Sequence, residues 1–321
     1  MIYRQLGTSD LQVPAIVFGS WATGGWWWGG TDDDLAIGAI RAAIDGGINC
    51  IDTAPVYGFG HSEEVVGRAI KGLRDKVLIA TKCGLVWNHM FTDDDRKSLS
   101  VRHVLKKESI LRECEASLDR LGTDHIDLYQ CHWPDSTTAL SETMEALVEL
   151  MQAGKIRAIG FSNHSAEQLE ECLHYGPVHC HQPKFSLLNR KNLKGVIKWT
   201  KEHNIGSIVY SPLEQGILTG KVTMDRVLAP GDERAGQFWF KPENRRRALE
   251  VLARDIQPIA DGHGATLAQV CLAWTIAAPG IAAAIVGARN PEQVAENLKA
   301  AELVLSEDEK AKVLAAFESL G

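Results

Sequence analysis

A regular alternation of short apolar runs with amphipathic stretches is the feature of this sequence that most constrains its fold. The amphipathic stretches have a helical period, as in DLAIGAIRAAIDGG and ILRECEASLDRLG, and several of them end at glycine. The apolar runs are short and rich in Ile, Val or aromatic residues, which is typical of buried parallel strands. There are eight such runs, at residues 15–20, 48–54, 76–82, 125–132, 156–163, 178–185, 206–212 and 282–288. Eight strands alternating with helices, without an obvious linker, predict an α/β fold: a single (β/α)8 TIM barrel that forms one domain over residues 1–321.

Four segments lie outside this alternation. The first 14 residues predict an N-terminal hairpin that turns at Gly7–Asp10, and the tail after Ser306 predicts an extra C-terminal helix with that serine as its cap. Two connections, 83–100 and 213–242, are longer than ordinary loops. We expect both to be active-site loops, since chemistry in such a barrel lies at the carboxyl ends of its strands.

Composition excludes several classes of protein. The formal net charge is −7 with no long basic block, so we expect no nucleic-acid partner. There is no apolar run of about 18 residues and no signal-peptide pattern, so we expect no membrane partner. The seven cysteines are scattered without a CxxC pair, which is typical of reduced thiols in a cytoplasmic protein. The sequence does not indicate an oligomeric state.

Polar side chains close three neighbouring predicted strands, and a tyrosine follows the first of them. Asp52, Lys82 and His132 end the second, third and fourth predicted strands, and Tyr57 lies five residues after Asp52. Neighbouring strands lie about 4.8 Å apart, so these four side chains can converge. An ammonium lowers the pKa of a nearby tyrosine, a carboxylate holds the ammonium, and a neutral histidine can orient a carbonyl oxygen. An Asp–Lys pair alone is equally well explained as a buried ion pair, whereas all four at consecutive strand ends predict a catalytic acid/base.

The sequence resembles the aldo-keto reductase superfamily, and within it the bacterial and potassium-channel-β-subunit-like branches. The resemblance is carried by INCIDTAPVYGFGHSEEVVGRAI, VLIATKCG, RLGTDHIDLYQCHWPD, LVELMQAGKIRAIGFSN, IVYSPLEQGILTGK and IVGARNPEQVAENL, which cover nearly the whole chain. It implies an oxidoreductase that transfers hydride reversibly between NADP(H) and an aldehyde or ketone. In that activity Tyr57 would be the general acid/base, Lys82 and Asp52 would tune it, and His132 would orient the substrate.

The resemblance also implies which residues bind the cofactor. Ser162, Asn163 and Gln182 match positions that bind the nicotinamide carboxamide, and Tyr210 matches the aromatic residue that stacks on the nicotinamide ring. The remaining residues expected at the cofactor are Ser20, Trp21, Asp52, Ser211, Leu213, Gly216, Lys221, Gly287, Arg289, Gln293, Glu296 and Asn297.

The adenosine-phosphate segment departs from the aldose-reductase-like pattern. Where that pattern has lysine and arginine, this sequence has Gly287 and Gln293, so Arg289 is the remaining cation for a 2′-phosphate. We therefore expect NADP(H), with NAD(H) as the alternative. Asn290 is expected to cap the following helix.

Aromatic residues cluster in the predicted loops at the mouth of the barrel. The residues expected to contact substrate are Trp21, Trp26, Trp27, Trp28, Tyr57, Trp87, His132 and Trp133. Trp239, in the second long loop, is also expected near the mouth. Tryptophan stacks on flat or sugar-like ligands, so we predict a bulky carbonyl substrate, either aromatic, sugar-like or polycyclic. Closure of the barrel rim or a subunit contact remains an alternative role for these tryptophans.

Three other interpretations are weaker. The stretch GFGHSE at 58–63 resembles the start of a dinucleotide-binding Rossmann fingerprint, but its sixth position is Glu63 and no acidic residue follows on the next strand. His179 and His181 alternate as in barrel metal hydrolases, but they fall on the sixth strand; we expect no metal. An NADP(H)-binding sensor or regulatory subunit of the same fold is the main alternative to an enzyme.

Overall fold

Eight parallel strands close into a barrel in the computed structural model, which describes residues 1–25, 30–87, 101–229 and 231–320. Each strand pairs with the next one along the chain, and the last pairs with the first, as the sequence predicts. The barrel strands are β3 (Ile16–Gly19), β4 (Cys50–Asp52), β5 (Leu78–Cys83), β8 (Ile126–Cys131), β9 (Ile156–Ser162), β10 (Cys180–Gln182), β11 (Gly206–Val209) and β12 (Ile281–Gly287).

Helices cover the outside of the barrel. Those between barrel strands are α1 (Asp33–Asp45), α2 (His61–Ile70), α3 (Lys107–Leu121), α4 (Leu140–Gln152), α5 (Ala166–Leu173), α6 (Val196–Glu202), α7 (Pro242–Val251), α8 (Gln257–His263) and α9 (Leu267–Ala277). Two more follow the last strand, α10 (Pro291–Ala300) and α11 (Glu307–Glu318). Ser306 caps α11 through a capping box, as predicted.

The N-terminal hairpin closes one end of the barrel. Its strands are β1 (Tyr3–Gln5) and β2 (Gln12–Pro14), which pair antiparallel. Leu6, Leu11 and Val13 join the apolar cluster inside the barrel, so the hairpin fills the end where the strands begin. The Arg4 guanidinium donates to two backbone carbonyls at the start of β12 and to the Ile276 carbonyl near the end of α9, which ties the hairpin down. The open end is therefore the carboxyl end of the strands, where sites lie in this fold.

The two long connections are only partly regular. The first contains a small antiparallel pair, β6 (Leu85–Val86) and β7 (Arg102–His103), and residues 88–100 within it lie outside the described residues. The second contains short 3-10 turns at Glu214–Thr219, Glu233–Gly236 and Phe238–Phe240. No helix among the described residues is both long and apolar enough to cross a lipid bilayer.

Candidate active site

The strand register brings the predicted polar residues together at the open end of the barrel. Asp52 ends β4, Lys82 lies near the end of β5, and His132 directly follows β8. β4 and β8 flank β5 on either side, and the His132 N–H donates to the Cys83 carbonyl at 3.0 Å. Side chains alternate along a strand, so Asp52 and Lys82 both point into the barrel.

Lys82 is the centre of the arrangement. Its Nζ donates to Asp52 Oδ1 at 2.7 Å, to the Thr53 carbonyl at 2.9 Å and to the Tyr57 hydroxyl at 3.3 Å. Burial alone would lower the pKa of this fully buried amine, but Asp52 and Tyr57 more than offset it and raise the pKa above its usual value. Lys82 is therefore an ammonium at neutral pH.

The Tyr57 hydroxyl has a different pKa from the one that the sequence predicts. Lys82 does lower the pKa of this hydroxyl, but burial raises it by more and Asp52 adds to the rise, so the pKa lies above 10. The prediction of a lowered Tyr57 pKa was wrong, because the sequence does not show how far burial removes the hydroxyl from water. Tyr57 is therefore protonated at neutral pH and is a proton donor beside an ammonium.

A network of buried hydroxyls fixes the loop that carries Tyr57. Ser62 Oγ lies 2.8 Å from Ser20 Oγ and 3.0 Å from Thr53 Oγ1. The loop also packs on Gly24, since a Cβ on Gly58 would collide with the Gly24 carbonyl. Ser20 is thus fully buried in this network, so it does not line the cavity where we expected it to contact cofactor.

His132 faces Tyr57 as a neutral imidazole. The two rings meet edge to face, with centroids 5.9 Å apart and an interplanar angle of 81°. Burial holds the pKa of His132 well below its usual 6.5, and Lys82 and then His103 lower it further. The uncharged ring predicted from the sequence can thus hydrogen-bond a carbonyl oxygen without titrating near pH 7.

A cavity of about 1080 Å³ extends from Asp52, Tyr57 and His132 along the barrel rim to α10. This volume is slightly above the range of about 300–1,000 Å³ that is typical of small-molecule sites, and it has room for an extended cofactor together with a substrate. The predicted cofactor residues that line it are Trp21, Asp52, Ser162, Asn163, Gln182, Tyr210, Ser211, Leu213, Gly216, Lys221, Gly287, Arg289, Gln293, Glu296 and Asn297.

The backbone after β11 is turned so that it faces this cavity. Ser211, Glu214 and Gln215 all have positive φ, at 56°, 45° and 53°, although none of them is glycine. Such left-handed residues cost energy and collect at binding sites, where turned N–H groups can hold an anion. Glu214 anchors the turn from below, because its carboxylate pairs with Lys184 at 2.5 Å and accepts from Ser186 Oγ at 2.7 Å.

Lys221 and Glu296, both predicted to contact the cofactor, line the far end of the cavity. Lys221 Nζ and Glu296 Oε2 are 2.5 Å apart, which links the loop after β11 to α10 across the cavity wall. The other oxygen of Glu296 is buried and has no hydrogen-bond partner in the described part of the chain, so it can accept from a ligand. Asn290 caps α10 by accepting from Gln293 N, as predicted.

Two arginines that the sequence reasoning missed lie near Arg289. Arg226 and Arg234 come from the second long loop and line the same cavity. Burial lowers the pKa of Arg289, and Arg234 and Arg226 both lower it further, whereas Asp232 opposes them. Arg234 pairs with Asp232 at 2.6 Å. This end of the cavity therefore carries an excess of positive charge and suits a phosphate.

Comparison with known proteins identifies the family. The model of the aldo/keto reductase family matches residues 15–317. The chain belongs to this family. A reductase described as an NADH-specific methylglyoxal reductase, from Escherichia coli, is 40% identical over 94% of this chain and 94% of its own.

Two further proteins are similar to this chain over nearly its whole length. A solved glycerol dehydrogenase of Gluconobacter oxydans has a TM-score of 0.90 and 36% identity, covering 99% of this chain and 95% of its own. A probable voltage-gated potassium channel subunit beta of Arabidopsis thaliana is 32% identical over 95% of this chain and 92% of its own.

In this aldo/keto reductase, Ser162 and Asn163, two of the residues predicted to bind the nicotinamide carboxamide, form one hydrogen-bonded group with Tyr210. Asn163 has a positive φ of 63°, and its Nδ2 donates to the His132 carbonyl and to Ser162 Oγ, each at 3.1 Å. The Tyr210 hydroxyl donates to Asn163 Oδ1 at 2.9 Å. Asn163 is thus held in a strained conformation by its neighbours, which fixes the cavity floor beside His132.

The substrate end of the reductase is partly aromatic. Trp21 lies 6.3 Å from Tyr57 between ring centroids, and Trp133, whose exposure is 40%, forms part of the cavity wall beside His103. Trp87 packs against Phe59 with centroids 5.4 Å apart and is not among the described residues that line the cavity. Trp26, Trp27 and Trp28 lie outside the described residues.

Trp239 occupies a different place from the predicted one. It is only 8% exposed, packs edge to face on Phe238 and belongs to the apolar core. The prediction placed it at the mouth because the loop is long, but the turn at Phe238–Phe240 folds back onto α7, and this tertiary contact buries the ring.

The alternating histidines face away from the reductase cavity. Cys180 and Gln182 point into the barrel, so His179 and His181 point out toward the helices. His179 Nδ1 accepts from the Ile159 N–H at 3.0 Å. Within the described ranges, no three His, Cys, Asp or Glu side chains are grouped to hold a metal ion. This geometry does not favour a metal hydrolase.

Proposed function

We propose that this aldo/keto reductase reduces an aldehyde or ketone with NADP(H), reversibly, and that Tyr57 is its general acid/base. The observation that carries the proposal is the contact of the Tyr57 hydroxyl with the Lys82 ammonium at 3.3 Å, beside the neutral His132 at the end of a long cavity. Few functions other than proton transfer to an oxygen require a buried tyrosine, an ammonium and a neutral imidazole at the same place.

The side chains divide the work of the reaction. The nicotinamide, when bound, would supply the hydride to the carbonyl carbon. His132 donates a hydrogen bond to the carbonyl oxygen and orients it, and Tyr57 gives that oxygen its proton. Lys82 stabilises the phenolate that is left, and Asp52 keeps Lys82 in position through the 2.7 Å ion pair. In alcohol oxidation the phenolate of Tyr57 takes the proton instead.

Three arginines support NADP(H) as the cofactor. Arg289, Arg226 and Arg234 surround the end of the cavity with positive charge, which favours an additional phosphate. The NADH-specific relative makes this the first point to test. We expect kcat/KM for NADPH to exceed that for NADH, and Arg289→Ala to reduce the NADPH value about tenfold while leaving the NADH value within about twofold. A preference of the wild type for NADH would remove the 2′-phosphate role of Arg289.

The substrate is proposed to be a bulky carbonyl compound, aromatic, sugar-like or polycyclic. The support is a substrate end with Trp21 and Trp133 in its wall, which offers stacking area to a flat or hydroxylated ligand. A panel of carbonyls and alcohols with both cofactors tests this. A profile that favours only the smallest aliphatic aldehydes would contradict the proposal.

Two other parts of the proposal concern the cell compartment and the enzymatic activity itself. All seven cysteines are unpaired and buried, which supports a reducing compartment such as the cytoplasm. If purified protein binds NADPH but reduces no carbonyl of any class, a sensor or regulatory subunit replaces the enzyme. The similarity of this chain to a probable potassium channel subunit beta is the reason to test for that outcome.

A further inference from the structure

The second oxygen of the Asp52 carboxylate is held by two glutamines. Asp52 Oδ1 receives Lys82, while Oδ2 receives Gln182 Nε2 at 2.8 Å and, more weakly, Gln130 Nε2 at 3.4 Å. All of these side chains are buried, with exposures of 3% or less. Gln182 is a predicted carboxamide residue, and Gln130 has no predicted role.

Hydrogen-bond chemistry fixes which way Gln182 points. Beside an ammonium, the Asp52 carboxylate only accepts, so Gln182 must present its NH₂ group to it. The second hydrogen of that group goes to Gln130 Oε1, at 3.1 Å from Gln182 Nε2. Both donors of Gln182 are therefore used inside the barrel.

The remaining polar atom of Gln182 is the oxygen Oε1. Within the described residues it has no hydrogen bond, and it is not among the buried atoms that lack a partner, so it is exposed to the cavity that Gln182 lines. A carbonyl oxygen in that position accepts an N–H. The carboxamide NH₂ of a nicotinamide is a donor of the right class.

The barrel makes specific room for Gln130. It lies opposite Lys82 on one neighbouring strand and opposite Gly160 on the other. A Cβ on Gly160 would come within 2.8 Å of Gln130 Cγ, so any larger residue would push Gln130 away. The amide of Gln130 is thus positioned by its strand neighbours and in turn restrains Gln182.

We propose that Gln130 is a positioning residue that locks Gln182 between the Asp52 carboxylate and the cofactor carboxamide. The relay runs from the cavity through Gln182 to Asp52 and on to Lys82, which touches Tyr57. It turns the oxygen of Gln182 toward the carboxamide N–H and couples cofactor binding to the catalytic ion pair. This inference rests on the proposed cofactor class.

A cofactor analogue tests the proposal directly. In the 3-acetylpyridine analogue of NADP⁺, a methyl group replaces the carboxamide NH₂, so the donor to Gln182 Oε1 is missing. Dissociation constants for NADP⁺ and this analogue are measured by quenching of tryptophan fluorescence, without substrate. We expect wild type to bind NADP⁺ about 5- to 10-fold more tightly than the analogue, the effect of about one hydrogen bond.

The variants separate positioning from packing. Gln130→Met keeps the length of the side chain but removes one of the two acceptors that hold the Gln182 NH₂ group, and we expect the preference for NADP⁺ to fall at least threefold. Gln182→Met should abolish it, and the double variant should add nothing. The matched control is Cys180→Ala, which changes another inward-facing residue of β10. It should change the affinity for both ligands equally and so leave the preference for NADP⁺ unchanged. If Gln130→Met does not fold, Gln130→Asn, which is too short to reach Gln182, is expected to give the same loss.

Three outcomes would contradict the proposed role of Gln130, the proposed role of Gln182 or the proposed function. An unchanged preference in folded Gln130→Met or Gln130→Asn means that Gln130 only packs. Equal affinity of wild type for both ligands means that Gln182 Oε1 does not accept from the carboxamide. Wild type that binds no dinucleotide would instead overturn the proposed function.

Discussion

Removal of the Lys82 ammonium should slow proton transfer without removing the proton donor. Lys82→Met keeps most of the side-chain volume and eliminates the charge 3.3 Å from the Tyr57 hydroxyl. Burial already raises the pKa of Tyr57, and Lys82 is the group that opposes this rise. Without it, the pKa of Tyr57 rises further, so Tyr57 becomes a weaker acid for carbonyl reduction.

The size of the effect follows from the distance. Two unit charges 3.3 Å apart interact by about 5 kcal/mol at an effective dielectric constant of about 20. If roughly half of the phenolate charge has formed in the transition state, the loss is about 2.5 kcal/mol, or roughly a 70-fold fall in kcat. In alcohol oxidation, where the phenolate is required, the pH dependence should move to higher pH.

The assay must separate this effect from loss of structure. Lys82→Met leaves Asp52 buried without its ion-pair partner, which can cost about 3–5 kcal/mol of stability. The double variant Asp52→Asn/Lys82→Met removes that unpaired charge and should recover thermal stability. Steady-state kcat of both variants is measured in both directions over pH 6–10. If the double variant also recovers kcat, Lys82 serves only to neutralise Asp52, and the argument for tuning Tyr57 fails.

Three further results are expected. Tyr57→Phe should lower kcat at least 100-fold while the dissociation constant for NADPH stays the same; retained turnover would remove Tyr57 from its role. Burial lowers the pKa of His164 to about 4, so the folded protein resists protonation of this residue and stability falls as pH drops below about 6.5, by about 2 kcal/mol at pH 5. Urea unfolding at pH 5 and 7 should show a smaller loss in His164→Asn, and an equal loss in both proteins would contradict the shift. Single alanine substitutions in Trp26–Trp28 should raise KM for a bulky carbonyl; unchanged values for all three would assign the triplet to packing or a subunit contact.

The fold and the three strand-end residues could be predicted because each depends on local pattern. Parallel strands that alternate with helices have few arrangements, and the carboxyl ends of the strands are the open end of a barrel. Asp52, Lys82 and His132 therefore had to meet once the strands were correctly located. Gln130 could have been found by the same reasoning, because it alternates with His132 and pairs in register with Lys82.

The parts that could not be predicted depend on tertiary contacts. Arg226, Arg234 and Trp239 all lie in the loop after β11, and nothing in its composition says which side chains turn toward the cavity. The loop direction is set by left-handed residues such as Glu214, whose buried pairing with Lys184 joins residues 30 positions apart. The sign of the Tyr57 pKa shift was missed for a related reason, since burial is a property of the folded chain.

The same burial gives the residues that we propose for catalysis their protonation states. It raises the pKa of Tyr57 and lowers that of His132, so both are neutral at pH 7. The charges at this point are those of Lys82 and Asp52, which cancel. Because this group has no net charge, an uncharged carbonyl can bind beside it without desolvating a free ion. The Lys82 ammonium is nevertheless in place to stabilise the phenolate that would form in the transition state. Stabilisation that appears only as the reaction proceeds is what raises kcat rather than substrate affinity.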